Sequence, residues 1–240
     1  MSPYAEWVLT QFHAALGKAS GAQRLAIQRA VTDLFLAAAS YSERQVAMFS
    51  GVMGLLIEKL DRKALLELSS RLAAAPHAPQ LIIGRLSWND DIAVAGPVLE
   101  KSKVLGDENL VEIAKTKGQD HLLAIAGREQ VSESVTDALV DRGNANVTQK
   151  VVANSGARLS ELGFAKVVHE AGSDEILAAM LAGRTDVPPE LQPFLQLARE
   201  PVKPPAPVNS TRTSAPVPAK SRSQEKWMPI SRSSSGGWDR

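Results

Sequence analysis

Residues 90–99 have the sequence DDIAVAGPVL, and three later stretches share its pattern: DHLLAIAGRE at 120–129, ANVTQKVVAN at 145–154 and DEILAAMLAG at 174–183. Each has Asp or Asn within its first two residues and continues with Ala and short aliphatic residues. Apolar residues at intervals of three and four positions predict α-helices. Because the side chains are small, neighbouring helices of this kind can approach closely. The chain around them is therefore expected to be all-α.

The predicted helices recur with a constant period. Starts of the first kind fall at Asp61, Asp90, Asp120, Asn146 and Asp174, with spacings of 29, 30, 26 and 28 residues. A second, more amphipathic kind alternates with them, starting near Pro79, Glu108, Ser132, Ser160 and Pro189. One helix pair is too small to bury its apolar face, so pairs must stack on one another. Residues 61–198 are predicted to form a HEAT-like α-solenoid of about five helix pairs.

Glycine and proline residues punctuate the predicted helices. We expect glycines at the helix ends to adopt a left-handed conformation that terminates each helix; these are Gly106, Gly118, Gly143, Gly156, Gly172 and Gly183. Pro97 falls inside the helix predicted from Asp90 and lacks a backbone donor. The pattern therefore predicts either a kink at Pro97 or a helix that begins there.

Residues 1–60 are predicted to form a helical cap at the N-terminal end of the solenoid. Ser42 and Gln45 have the spacing of a capping box, which opens the third of three helices. From Val46 to Leu60 this helix is apolar nearly all round, which is typical of a buried helix. The alternative is a surface for a second copy or a partner.

Residues 199–240 differ in composition from the rest. Residues 203–240 have seven Lys and Arg against two Asp and Glu, whereas residues 1–202 have 20 against 24. Because the segment is rich in Pro and Ser and has few large apolar side chains, it is expected to be disordered. Trp227, Met228 and Ile230 form an apolar group near its end. Since large aromatic residues dominate small interfaces, these three are candidate partner-binding residues. The alternative is a solvated basic extension with no specific role.

Part of the chain resembles a known family. The stretches that carry the resemblance are NDDIAVAGPVLEKSKVL (89–105), LVEIAKTKGQDHLLAIAGRE (110–129), SVTDALVDRGNANVTQKVVANSGARLS (134–160) and FAKVVHEAG (164–172). In order and spacing they are similar to an alphaproteobacterial family of unknown function with HEAT-like helical repeats, over roughly residues 81–191. The resemblance implies a helical-repeat fold. It implies no reaction, since the family has no agreed catalytic residues.

The sequence contains no pattern of residues typical of an enzyme. Cysteine is absent, which excludes thiolate chemistry and disulfides. The four histidines, His13, His77, His121 and His169, show no metal-ligand spacing. The paired carboxylates fall at predicted helix starts, where negative charge complements the helix dipole. We therefore predict no catalytic residue, no metal and no cofactor.

Three arginines are candidate partner-binding residues of the helical part. Arg128, Arg158 and Arg184 each follow a Gly or Gly-Ala near the turn after a helix of the first kind. Stacking of the pairs would place them in a row, where they could bind an acidic partner. The alternative interpretation is structural, because Arg near a helix end can bond the last carbonyls.

Nucleic-acid binding is the main functional alternative. A repeat protein that binds a phosphate backbone needs a continuous basic stripe on one face. The second-kind helices can be aligned on Leu81, Leu110, Val135, Gly163 and Leu191. The position two residues later then has Ile83, Glu112, Asp137, Ala165 and Pro193, which form no basic stripe. Nucleic acid is therefore a less favoured partner than protein.

The features taken together predict a non-enzymatic scaffold or regulatory adaptor that binds a protein partner. The longest uncharged apolar stretch, Val46 to Ile57, spans twelve positions, and a bilayer crossing needs roughly 18. The N-terminal residues also lack the pattern of a signal peptide. A cytoplasmic location is expected.

Overall fold

The structure is a computed structural model that describes residues 3–38 and 40–194, with side chains from residue 10 onward. The chain divides into two units, Met1–Pro201 and Val202–Arg240, and the described residues all belong to the first. The predicted disordered tail, residues 199–240, lies outside them.

The described residues are helical, which confirms the all-α prediction for this part of the chain. They form twelve α-helices, one 3₁₀ helix at Pro189–Leu191 and no strand, apart from a single bridge between Val131 and Ala157. The α-helices are α1 (Pro3–Lys18), α2 (Gly21–Leu36), α3 (Glu43–Ile57), α4 (Arg62–Leu72), α5 (Gln80–Ser87), α6 (Ile92–Lys101), α7 (Asp107–Thr116), α8 (Gln119–Ala126), α9 (Glu133–Arg142), α10 (Ala145–Ala153), α11 (Glu161–Ala171) and α12 (Glu175–Ala182). Within residues 3–38 and 40–194, no helix is long and apolar enough to span a bilayer.

Side chains at the N-caps explain where most of these helices begin. The capping box predicted at Ser42 and Gln45 is present, and Ser20 and Gln23 form a second one. Asp61 and Asp174 cap α4 and α12 as predicted. The start predicted at Asp90 is one residue early, because the N-cap of α6 is Asp91. The starts predicted at Asp120 and Asn146 are two residues late, because the N-caps of α8 and α10 are Gly118 and Asn144.

The prediction of left-handed glycines at helix ends is wrong. Gly106 and Gly118 are N-caps, with φ of −77° and −80°. Gly143 is extended, with φ −66° and ψ 150°, while Gly172 and Gly183 have right-handed helical values. At the last two, the chain leaves the helix through a tighter turn, so no positive φ is needed. Likewise, α6 begins at Ile92 and continues through Pro97, so the alternative of a helix that begins at Pro97 is wrong.

The helices pack in an alternating order. Each even-numbered helix from α2 to α12 packs against the next even-numbered one. Among the odd-numbered helices, α3 contacts α1 and α5, and α9 contacts α7 and α11. The first three helices take part in this order, so the same packing begins within the residues that the sequence assigned to an N-terminal cap.

The buried apolar side chains form one connected core. It extends from Phe35 in α2 to Val187 after α12, and in its middle Val135, Leu139 and Val151 are completely buried. Because the core passes through every successive pair, each helix is held by its neighbours rather than by its own intrinsic stability.

The third helix is partly buried, so the burial expected from its composition holds for much of its length. Met53 and Leu56 lie in the core, and every residue from Phe49 to Ile57 is buried or half-buried. Met48, nearer the start of α3, is 51% exposed. α3 packs against α1, α2 and α5. Phe49 joins Phe35 and Tyr41 in an aromatic cluster with ring centroids about 5.1 to 5.2 Å apart.

Candidate functional site

A groove of about 1590 Å³ runs past the loops that follow α6, α8 and α10. We call it the loop groove. Charged and polar side chains dominate its lining, which comprises Ala74, Glu100, Lys101, Lys103, Asp107, residues 127–134, Ser155, Gly156 and Arg158.

Backbone pairing between two loops shapes one wall of the groove. Val131 donates its N–H to the Gly156 carbonyl at 3.0 Å, and Arg158 donates its N–H to the Val131 carbonyl at 2.9 Å. A Cβ atom at Gly156 would lie 1.9 Å from the Glu129 carbonyl oxygen. Glycine is therefore required here by the close approach of the two backbones, not by its φ angle.

Asn154 fixes the loop after α10 to the end of α8. Its Nδ2 donates to the carbonyls of Ala126 and Arg128, at 2.9 and 2.7 Å, and its Oδ1 accepts the Gly156 N–H at 2.9 Å. The last carbonyls of a helix have no partner within the helix. Asn154 supplies a donor to one such group, the Ala126 carbonyl, and to the Arg128 carbonyl just after the helix, and it holds the turn before Gly156.

Arg128 has the corresponding position at the preceding junction. Its guanidinium donates to the carbonyls of Leu99, in the last turn of α6, and of Ser102, its C-cap, at 2.6 and 2.7 Å. Burial lowers the pKa of this guanidinium from its ordinary value, and the nearby charge of Asp107 acts in the opposite direction. An arginine nevertheless stays protonated at neutral pH, so the interaction is a charge-assisted hydrogen bond to main-chain oxygens.

Arg184 does the same at the next junction. Its guanidinium donates to the carbonyls of Val152, Asn154 and Ala157, at 2.8 to 3.1 Å. It also forms a salt bridge to Asp186, and its side chain is only 8% exposed. The hydrogen bond from this guanidinium lowers the pKa of the Asp186 carboxyl.

The structural positions show which residues are equivalent. Arg128, Asn154 and Arg184 each lie ten residues after the N-caps of their helices, Gly118, Asn144 and Asp174. The row predicted from sequence contained Arg158 in place of Asn154. Arg158 lies four residues further along, so the three predicted arginines do not occupy one equivalent position.

Arg158 differs from the other two arginines in its surroundings. Its side chain is exposed and lines the loop groove. Its backbone is held at both ends, because its N–H bonds Val131 and its carbonyl accepts from the Thr136 hydroxyl. The guanidinium makes no hydrogen bond or salt bridge within residues 10–38 and 40–194, so its donors are available to a partner.

Other charges in the groove are only loosely paired. Lys103 and Glu129 approach to 3.8 Å, and both side chains are at least 80% exposed. An exposed pair of this kind contributes little to stability. Lys101 and Glu133 are also exposed at the groove, so the groove offers both signs of charge to an incoming chain.

A second polar cluster lies at the junctions before α6 and α8. Lys117 donates to Asp90 at 2.5 Å and lies 5.5 Å from the Trp88 ring centroid. The hydrogen bond from Lys117 lowers the pKa of the Asp90 carboxyl. His121 is buried, with its Nε2 2.9 Å from the Asn89 carbonyl oxygen. These contacts join the start of α8 to the junction before α6.

Sequence reasoning missed Asn154, and it identified Gly156 only as a helix-terminating glycine. Asn154 could have been found from its position, because it lies ten residues after its N-cap, as Arg128 and Arg184 do. It was hidden because α8 and α10 were expected to begin at Asp120 and Asn146, two residues beyond the true N-caps. Trp227, Met228 and Ile230, the other predicted partner-binding residues, lie outside the described part of the chain. Among the described residues, no group of three or more His, Asp or Glu is placed to hold a metal ion.

Comparison with known proteins gives one family match. Residues 94–195 match a family described as an uncharacterised protein conserved in bacteria (DUF2336). This confirms the predicted similarity to a family of unknown function. No curated protein and no solved structure matches the chain.

Proposed function

We propose that this protein is a non-enzymatic scaffold or regulatory adaptor of the cytoplasm, whose helical part binds a protein partner in the loop groove. The observation that carries the proposal is the unpaired guanidinium of Arg158 in a groove of about 1590 Å³. Binding would depend on shape, on both signs of charge and on the loop backbones, with no cofactor. Trp227, Met228 and Ile230 would supply a second contact surface.

We further propose that residues 61–198 form a HEAT-like α-solenoid with residues 1–60 as its N-terminal cap. The alternating packing order of the helices supports this architecture. So do three side-chain links between successive junctions, Arg128 to Leu99, Arg142 to Ala114 and Asn154 to Ala126, which span 29, 28 and 28 residues. These separations fall within the spacing of the predicted helix starts. The resemblance to an alphaproteobacterial family with HEAT-like repeats agrees with them.

The preorganised backbone of Arg158 also supports a binding role. A bound side chain loses conformational freedom, which weakens association. Here the main chain at Arg158 is already held on both sides by Val131 and Thr136, so only the side chain must be ordered. Arginine is enriched among residues that dominate interfaces, because its planar group presents several donors.

The test compares two charge reversals in the full chain. Arg158→Glu reverses the groove charge, and Lys150→Glu makes the same change at an exposed position of α10 outside the groove lining. Each protein, with the wild type, is used to capture partners from native lysate after nuclease treatment. We expect a protein that is retained by the wild type and by Lys150→Glu to lose at least about tenfold in recovery with Arg158→Glu, an effect of about 1.4 kcal/mol.

Equal recovery with both variants would contradict the proposal, provided that their unfolding midpoints match the wild type. Capture that depends on nucleic acid and weakens steeply with salt would instead favour the nucleic-acid alternative.

A further inference from the structure

The parallel bridge between the two loops of the groove wall has one open edge. Val131 directs its N–H and C=O toward Gly156 and Arg158. In an extended chain the main-chain groups of successive residues point to opposite sides, so those of Gln130 and Ser132 point to the other edge. The Gln130 N–H and C=O and the Ser132 N–H have no hydrogen-bond partner among the described residues.

The opposite edge of the bridge is closed. Ala157 is the residue whose main chain points to that edge. Its N–H donates to the Asn154 carbonyl at 3.1 Å, and its carbonyl accepts from Arg184 at 2.8 Å. Of the two edges, the one formed by residues 130–132 is therefore the one that can pair with a further extended chain.

The loop groove lies along the open edge, because residues 127–134 line it together with Lys101 and Lys103 of the preceding loop. Val104, Val131 and Ala157 each lie thirteen residues after the N-caps of their helices, α6, α8 and α10. The last two form a bridge, whereas Val104 and Val131 form none. By this correspondence the loop after α6 would close the open edge, and it does not.

Arg158 lies on the exposed face of the bridge. Paired residues of neighbouring chains share a face, so Val131 and Ala157 both point into the core, where each is at most 3% exposed. Arg158 and Ser132, one residue further along each chain, lie on the opposite face. Ser132 stands between Arg158 and the open edge, and its small side chain leaves room for the guanidinium to reach across it.

A chain added at the open edge would lie two strand spacings from that of Arg158, roughly 9 to 10 Å. The side chains of Arg158 and of an acidic residue on the added chain extend toward each other over this distance. A carboxylate is the complementary group for a guanidinium without a partner, and the pair would form a charge-assisted hydrogen bond.

We propose that the loop groove binds an extended polypeptide segment, which adds to residues 130–132 as a parallel strand. One residue of the segment donates its N–H to the Gln130 carbonyl and accepts the Ser132 N–H with its own carbonyl. The next residue is Asp or Glu, and its carboxylate contacts Arg158. In this mode of recognition the main-chain bonds give affinity and the side chains give specificity. The proposal rests on the proposed function and names the class of its partner.

A peptide selection supplies the probe for the test. A phage library of random peptides is selected on the immobilised full-length protein, and the most enriched peptide is synthesised with a fluorescent label. We expect this peptide to contain Asp or Glu. Its dissociation constant, measured by fluorescence anisotropy, should rise at least about tenfold with Arg158→Glu, because the carboxylate then meets a like charge.

Two substitutions at Ser132 separate the main chain from the side chain. Ser132→Pro removes the N–H at a position whose φ of −74° suits proline, and the preceding Val131 is already extended. Ser132→Ala is the matched control, since it keeps the N–H and the Ser132 side chain makes no N-cap hydrogen bond. The dissociation constant of the labelled peptide should rise at least about tenfold with Ser132→Pro and stay within about twofold with Ser132→Ala.

Amide hydrogen exchange in the wild-type protein tests the same bond without a substitution. The Ser132 N–H should exchange at least about tenfold more slowly when the peptide is bound. A selection that enriches no peptide, an unchanged Ser132 exchange rate, or equal affinity of Ser132→Pro and Ser132→Ala would overturn the strand addition.

The variants also distinguish this proposal from the proposed function. Loss of peptide affinity with Arg158→Glu but not with Ser132→Pro would overturn the strand addition and leave the proposed function intact. Loss with Ser132→Pro but not with Arg158→Glu would contradict the role of Arg158, and with it the proposed function.

Discussion

Different side chains donate hydrogen bonds to main-chain carbonyls at the junction after α10 and at the junctions after α8 and α12. After α8 and α12 an arginine donates to main-chain carbonyls at the end of the preceding even-numbered helix and in the loop that follows it. At α10 the amide of Asn154 does so. The middle junction therefore has an arginine, Arg158, that is left over for another role.

The difference separates a structural requirement from a functional one. Carbonyls at a helix end that are shielded from water need donors, whichever residue supplies them. A guanidinium that is not needed for this purpose, held at the wall of a groove, is available for binding.

Arg184→Ala should lower the free energy of unfolding by about 3 kcal/mol, because three carbonyls and Asp186 lose a charged donor in a nearly buried site. Urea denaturation measures the effect. Arg158→Ala is the matched control and should stay within about 0.5 kcal/mol of the wild type, as expected for an exposed side chain without partners. Equal decreases in the free energy of unfolding for the two variants would contradict the distinction between a structural Arg184 and a free Arg158.

Gly156→Ala should destabilise the protein by about 2 to 3 kcal/mol, since the new methyl group would overlap the Glu129 carbonyl and force the loops apart. Gly84→Ala, at a helical position of α5 with nothing within 4 Å, should instead stabilise by about 0.5 to 1 kcal/mol. Thermal unfolding of both variants would show opposite shifts. A neutral Gly156→Ala would mean that the two loops need not lie so close.

Asn154→Ala should cost about 1 to 2 kcal/mol, because the carbonyls of Ala126 and Arg128 lose their donor. Asn154→Asp keeps the acceptor for the Gly156 N–H but places a carboxylate against those carbonyls, so it should be at least as destabilising. Comparison of their urea midpoints separates the donor function from the acceptor function. A harmless Asn154→Asp would show that Asn154 acts mainly on Gly156.

The smallest expected effect concerns pH. At the start of α12, the backbone N–H of Leu177 lowers the pKa of the Asp174 carboxyl, followed by the Gln149 amide. Since the folded pKa lies below the unfolded value of about 3.9, this stabilisation is present above that pH and is lost as pH falls through the folded pKa.

Asp174→Asn keeps a good N-cap and removes the titration. It should therefore show a weaker acid-side fall in the urea midpoint than the wild type between neutral pH and pH 3. An unchanged fall would assign the acid sensitivity to other carboxylates.

The sequence predicted which segments are helical, but it misplaced several helix starts. Apolar spacing located the alternating helices and the capping box at Ser42, because these depend on local preferences. It misplaced the starts of α8 and α10, because Gly118 has no side chain to identify an N-cap and Asn146 resembles one as closely as Asn144 does. The row contained Arg158 because each of the three arginines follows Gly or Gly-Ala, a local pattern that Arg158 shares and Asn154 lacks.

The sequence by itself determined that the described chain is helical, that its helices alternate in two kinds, and that cysteine chemistry is absent. These follow from composition and from contacts within a few residues. Only the tertiary structure decided which arginine is free, that Gly156 must lack a side chain, and that the bridge between Val131 and Ala157 leaves one edge open. Each of these depends on atoms about 25 to 30 residues apart along the chain, and local sequence patterns carry no information about which of those atoms meet.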